Sequence, residues 1–195
     1  NEVFFSDFLV KNKQTENTYK VSIRSNDDSR NFCECLDFKT NRLGICKHIS
    51  AVLKKFSVLN NFEKDFLKKE HIPSYSSIYL DYRNGREVKI KIGTENQYQF
   101  LKVTQKYFDD SNILKQESFP IFEKLLENAK NLDGNFRCYP DALEFVIEKR
   151  NALKLKQQFS ELASKNPLYI NDLIKTKLFD YQTEGVWFAA KAGRS

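Results

Sequence analysis

No run in this chain approaches eighteen apolar residues, so no stretch of the sequence is suited to crossing a bilayer as a helix. The N-terminus lacks the charged, apolar and small-residue succession of a secretory signal, which makes an intracellular, cytoplasmic setting the default expectation. No G-x-x-x-x-G-K-[ST] stretch occurs, so these residues hold no backbone cradle for a triphosphate. Glycine and proline are scarce, at six and four among 195 residues, and there is neither an internal repeat nor a low-complexity tract. What is present is apolar and aromatic. Seventeen Phe, nine Tyr and 41% apolar residues argue for folded cores. A chain of this length buries roughly 70% of its unfolded surface, enough for one large or two small domains without disulfides.

The formal charge of +6 favours polyanionic partners such as nucleic acid. The 32 basic residues are scattered among 26 acidic ones, however, so a solvated mixed-charge surface explains the balance equally well. The cysteines are more informative. In a reducing compartment, clustered cysteines serve as metal ligands or catalysts rather than as bridges.

Three of the four cysteines and one of the two histidines fall in "CECLDFKTNRLGICKH". Cys33 and Cys35 alternate around Glu34 after a strand-like run, which as a β-segment points both sulfurs to one side. Cys46 and His48 open "CKHISAVLKKF", where Ile49, Val52, Leu53 and Phe56 recur at helical spacing. Zinc takes about four soft or borderline ligands in a tetrahedron, and a strand plus a helix start supplies two from each side. Gly44 gives the chain freedom to turn into the site, and the polar "DFKTNR" reads as a surface loop. The closed ligand set marks the metal as structural. Other readings fit less well. A Cys33–Cys35 disulfide closes a very small strained ring, and inert thiols leave Cys46 and His48 unexplained. A Cys46/His48 nucleophile and base pair lacks a third group to orient the histidine. His71 and the lone Cys138 stand outside the constellation and read as structural.

The order Cys-x-Cys, ten residues, Cys-x-His resembles the SWIM zinc finger. It is followed by an Ile-Ser-Ala-Val-Leu helix and preceded by "YKVSI" and Phe32, and the likeness covers about residues 17–58. The resemblance implies a ββα zinc module of the kind found in bacterial Swi/Snf-type ATPases, transposases and recombination factors. It also implies a role in binding DNA or protein partners.

Downstream, "NNFEKDFLKKE" reads as a short charged helix leading to a boundary at "HIPSYSS". In "IYLDYRNGREVKIKIG", Asn84-Gly85 separates alternating runs at 78–82 and 88–92, the pattern of a hairpin with a type I′ turn. Arg83, Arg86 and Lys89 flank that turn as phosphate contacts or, more simply, as solvated charges. A helix is expected over 119–128, with Ser118 as cap and Pro120 in its first turn. The longest helix is expected after Pro140, with Asp141 and Glu144 in a capping-box-like pattern. Its apolar stripe of Leu143, Val146, Ile147, Leu153 and Phe159 is expected to be core.

The C-terminal "LFDYQTEGVWF" reads as part of a capped amphipathic helix. It also resembles the entry to Swi/Snf-type motors, through Leu178, Tyr181, Gln182, Gly185, Val186 and Trp187. That resemblance implies that Gln182 reads the adenine edge of ATP in a longer parent protein, since a side-chain amide pairs one donor and one acceptor. With no phosphate loop and no assignable acidic pair for magnesium, these residues are not expected to hydrolyse ATP. The chain reads as an N-terminal piece of a larger enzyme.

The expected fold is α+β: a SWIM-type zinc domain over 1–75, an accessory domain over 76–175 containing the hairpin, and the start of a motor over 176–195. The expected function is that of a zinc-binding accessory region of a Swi/Snf-type DNA translocase. Lys39, Arg42 and Lys47, in or beside the metal loop, would contact phosphates without reading base sequence. The rival expectation is a module that docks onto its own motor or another protein, with a purely structural zinc. No membrane partner is expected.

Overall fold

The structure, a computed structural model, describes residues 5–25, 30–58, 72–166 and 169–192. The expected charged helix over 60–70 and His71 lie outside the described residues. The chain divides into two units, Asn1–Leu143 and Glu144–Ser195.

The first unit contains two small sheets. β1 (Asp7–Lys11) and β2 (Thr18–Ser22) form an antiparallel hairpin, with Phe8 opposite Val21 and Val10 opposite Tyr19. Along β1 the side chains alternate, so Phe8 and Val10 turn inward while Leu9 stays exposed. β3 (Phe32–Cys33) adds antiparallel to β2, giving the order β1-β2-β3. Two helices follow, α1 (Leu36–Asn41) and α2 (Lys47–Ser57). Ile49 and Val52 of α2 join Val21, Ile23, Phe32 and Phe38 in one apolar cluster, to which Cys33, Cys35 and Cys46 also belong.

The second sheet has the order β5-β4-β6, with β4 (Ser77–Asp81) in the centre. Every residue of β4 is buried, as a strand covered on both faces requires. β5 (Glu87–Lys91) pairs antiparallel with it, and β6 (Arg137–Cys138) parallel. The expected hairpin is therefore present, but its turn is not type I′. Asp81 pairs with Glu87, which leaves a loop over 82–86, and Gly85 alone in that loop has positive φ. Asp81 explains the wider turn: its Oδ1 accepts from the Arg83 amide at 2.9 Å, and its carboxylate holds Lys89 and Arg83 across the hairpin.

α3 (Gln97–Tyr107) buries Phe100, Thr104 and Tyr107, and α4 (Phe122–Leu132) buries Phe122, Leu125 and Ala129, both at one-turn spacing. Ile78, Leu80, Val88 and Ile90 of the sheet are buried as well, and Phe100 stacks on Phe136 at 5.8 Å. The expected helix over 119–128 starts later than its sequence signals imply. Ser118 lies in a 3-10 turn (Gln116–Ser118), and its hydroxyl donates to the Tyr107 carbonyl at 3.0 Å instead of capping α4.

α5 (Pro140–Lys165) is the longest helix, and Asp141 in its first turn is no simple cap. Arg24, at the end of β2, donates to both Asp141 oxygens at 3.0 Å, with both side chains almost fully buried. Arg24 also lies 3.8 Å from the Tyr139 ring centroid. This fork ties chain segments 117 residues apart. The apolar stripe is only partly core. Val146 is buried, whereas Leu143, Ile147 and Leu153 are 39–47% exposed. α6 (Tyr169–Leu173) and α7 (Asp180–Ala192) complete the second unit. The fold is mixed α+β. No helix among the described residues is long and apolar enough to cross a membrane.

Candidate metal centre

The four residues singled out in the sequence converge. One ligand atom from each of Cys33, Cys35, Cys46 and His48 lies within 4.8 Å of all the others, and all four residues are buried. Among the described residues, no other group of three or more His, Cys, Asp or Glu side chains converges in this way.

Each ligand is placed by a short piece of secondary structure. Cys33 ends β3, opposite Val21. Cys35 is not a strand residue: it is the N-cap of α1, with extended backbone angles, and its sulfur accepts from the Phe38 amide at 3.4 Å. The stretch expected to be a polar loop is thus largely helical. The reason is Phe38, an apolar residue inside polar sequence, which packs edge-on against Phe32 at 5.5 Å and Tyr82 at 5.3 Å. Cys46 is the N-cap of α2 and makes no capping hydrogen bond, and His48 sits in that helix's first turn.

Between the helices, Arg42 and Gly44 both adopt positive φ, at 58° and 75°. Gly44 is required twice over, because an added Cβ would also stand 2.6 Å from Cβ of Tyr82. Asn41 shapes the same turn. Its Nδ2 donates to the Ile45 carbonyl at 2.9 Å, and its Oδ1 accepts from the Leu43 amide at 2.8 Å. Asn41 and Tyr19, whose ring lies 4.5 Å from that of His48, are positioning residues that the ligand spacing alone does not reveal. For Asn41 a signal existed: an Asn at a turn that hydrogen-bonds two residues onward.

His48 turns Nδ1 toward the sulfurs, 3.7 Å from Cys33 Sγ and 4.0 Å from Cys46 Sγ. Its Nε2 is buried with no hydrogen-bond partner among the described residues. A neutral imidazole protonated at Nε2 leaves the Nδ1 lone pair for a cation. A tetrahedral zinc with Zn–S of about 2.3 Å and Zn–N of about 2.0 Å has sulfur-to-nitrogen edges of about 3.6 Å. The observed separations fit that edge to within a few tenths of an ångström.

The electrostatics agree. The Cys33 thiol is pushed far above the ordinary thiol range, first by its hydrogen bond to Cys46 and then by burial. The same hydrogen bond brings Cys46 down to about 5, against the cost of burial. Burial raises Cys35. Three sulfurs this close do not all ionise without a cation among them, so uptake of a metal here releases protons. Cys138 is separate. Burial pushes its thiol up to about 12, and it points at the Tyr139 carbonyl. The cluster can hold a metal ion, and its three-sulfur, one-nitrogen donor set suits zinc.

The remaining candidate residues are dispersed. Lys39 lies on α1, Arg42 at its C-cap and Lys47 at the start of α2, all exposed. Gln182 lies in the other unit, where its Oε1 accepts from the Phe179 amide at 3.0 Å, reaching back to cap α7. The chain has no significant match among protein-family models, curated proteins or solved structures.

Proposed function

We propose that residues 17–58 form a SWIM-type zinc module serving as the DNA-binding accessory region of a Swi/Snf-type translocase, with zinc as its resident metal. The observation that carries this reading is the buried convergence of Cys33, Cys35, Cys46 and His48, with all four donors within 4.8 Å. Zinc held there locks β3 against the starts of α1 and α2, so the module folds as it loads. Lys39, Arg42 and Lys47, each exposed in or beside that ligand-bearing segment, would supply phosphate contacts that position without specifying sequence. Gln182, on α7, contributes to ATP binding only as part of a longer parent protein.

The test is titration of zinc-loaded protein into labelled duplex DNA at two salt concentrations. Binding that weakens steeply with salt, and falls when Lys39, Arg42 and Lys47 are all replaced by Ala, supports the reading. Unchanged affinity of that triple variant removes it. A second reading, docking onto a protein partner, is favoured by Leu36 and Leu43, which are 75% and 71% exposed on the same segment. Under it, Leu36→Ser/Leu43→Ser abolishes association with the isolated motor and leaves DNA affinity unchanged.

A further inference from the structure

The two sheets of the N-terminal unit differ at their outer edges. β5 is covered: the Ile90 amide donates to the Asn112 carbonyl at 3.2 Å and the Leu114 amide to the Val88 carbonyl at 2.8 Å, so a later segment takes up groups that β4 leaves open. β1 is an edge strand with no such cover among the described residues. Its parity is fixed by the flanking bonds, from the Ile23 amide to the Ser6 carbonyl at 2.9 Å and from the Asn12 amide to the Asn17 carbonyl at 2.8 Å. Phe8 and Val10 therefore bond to β2, and the amides and carbonyls of Asp7, Leu9 and Lys11 point the other way. We infer that this edge pairs with the same edge of a second copy of the chain, antiparallel about a two-fold axis at Leu9, joining the two β1-β2-β3 sheets into one.

Hydrogen bonding and side-chain charge select the same register. With Leu9 opposite Leu9 of the second copy, Asp7 stands opposite Lys11 at each end. These are the residues whose backbone groups are open, so each opposed pair exchanges bonds in both directions. Their side chains share the outward face, where Leu9 is 78% exposed. Asp7 is held by Lys20 and Ser22 of its own copy, and Lys11 by Glu16. Both ion pairs are exposed to solvent and weak, so the second strand contributes a match of sign rather than an answer to an unmet charge. Slipping the strands by one hydrogen-bonded rung puts Leu9 opposite a charge. Slipping them by two puts Asp7 opposite Asp7, or Lys11 opposite Lys11, which destabilises a pair.

On the inner face, the same register sets Phe8 against Val10 of the second copy as a close, non-hydrogen-bonded pair. Both are only half-buried within one chain. They pack against the cluster that α2 shares, with Phe56 edge-on to Phe8 at 5.7 Å, so pairing extends an apolar face already begun. Exposed edges are ordinarily kept apart by bulges, prolines or unmatched lysines. β1 has an unbroken register and no proline, and its lysine meets an aspartate across the axis. The contact is small, which sets the expected dissociation constant at about 10 µM to 1 mM, that of a reversible pair and not a permanent dimer. The inference rests on β1 alone and stands independently of the DNA-binding reading.

The experiment is sedimentation equilibrium of the full zinc-loaded chain, with amide exchange followed by NMR on the same samples. Over about 10 µM to 1 mM the mass should rise from one chain toward two. The Asp7, Leu9 and Lys11 amides should slow severalfold over that range, while those of Phe8 and Val10, already bonded to β2, change little. Asp7→Lys and Lys11→Glu each create two like-charge pairs across the axis and should weaken association at least about tenfold. Retained protection at Phe8 and Val10 shows that β1 still pairs with β2 in each variant. An equimolar mixture of the two opposes lysine at position 7 to glutamate at position 11, and native Lys11 to native Asp7, so it should associate as tightly as the unmodified chain. A single-chain mass throughout would overturn the inference and leave the edge to a strand from another protein. So would dimers in which the Leu9 amide exchanges as fast as in the monomer, which would move the contact to another surface, and so would a mixture no tighter than either variant alone.

Discussion

The N-terminal unit builds two three-stranded sheets by different means. The β5-β4-β6 sheet is held by ordinary apolar packing. Its central strand is buried throughout, and α3 and α4 bring Phe100, Tyr107, Phe122 and Leu125 into the core. In the β1-β2-β3 sheet, β3 spans only Phe32–Cys33, and three of the buried apolar positions around it are cysteines that face His48. A sheet this small lacks the apolar area to offset its conformational entropy, and an ion held by Cys33, Cys35, Cys46 and His48 would supply the missing cohesion. The difference teaches that a two-residue strand running into a helix cap can serve first to place candidate ligands, Cys33 and Cys35, and only second as a sheet element.

Metal removal should separate the two sheets most sharply. Structural zinc contributes about 10–16 kcal/mol of apparent binding energy in finger-sized modules. A strong chelator should therefore strip amide-exchange protection from β1 to β3 and α2 and leave β4 and β5 protected. Loss of protection in both sheets together would mean that they form one cooperative unit. Cys46→Ser should reproduce the chelator's effect without chelator.

Next in size is the fork between Arg24 and Asp141. Asp141→Ala leaves a guanidinium that is nine-tenths buried without its counter-charge, which costs about 3–5 kcal/mol. Because the fork fixes the end of β2 to the start of α5, chemical denaturation should show the N-terminal sheet unfolding earlier relative to the second sheet. Gly44→Ala comes third. Positive φ alone costs about 1–2 kcal/mol in an L-residue, and the clash with Tyr82 adds to it. The zinc-loaded form should melt lower, with lost amide protection centred on the turn at Gly44 and on Tyr82, which must move to admit the methyl group.

The smallest effect belongs to Asp81. Burial alone would raise its pKa, but the Arg83 amide and guanidinium together with the Lys89 charge hold it below the ordinary aspartate value. A carboxyl lowered on folding stabilises above its unfolded pKa of about 3.9, and that contribution is lost as pH falls through the folded value. Asp81→Asn should flatten the acid limb of the second sheet's stability curve, measured by denaturant midpoints against pH, and leave the β1-β2-β3 sheet unaffected.

The convergence of Cys33, Cys35, Cys46 and His48 was legible in the sequence because zinc chemistry restricts both residue type and spacing, and the four satisfy both. The β4–β5 hairpin was legible from its alternating runs. Its turn was not, because Asp81 reorganises the loop through Lys89, a partner on the opposite strand. The rest depended on distant partners. Ser118 carries every local mark of a cap, yet its hydroxyl goes to Tyr107. Asp141 carries the mark of a capping box, yet its carboxylate goes to Arg24. Phe38 is a single apolar residue in polar sequence, and only the rings of Phe32 and Tyr82 reveal why it starts a helix. Local pattern cannot encode which remote group claims a side chain.

The most direct measurement is X-ray absorption at the zinc edge on the purified full chain, with metal content determined on the same sample. The expected result is one zinc per chain with three sulfurs at about 2.3 Å and one nitrogen at about 2.0 Å. Substoichiometric metal, or a shell of oxygen and nitrogen without sulfur, would contradict the assignment of Cys33, Cys35, Cys46 and His48 as a zinc centre.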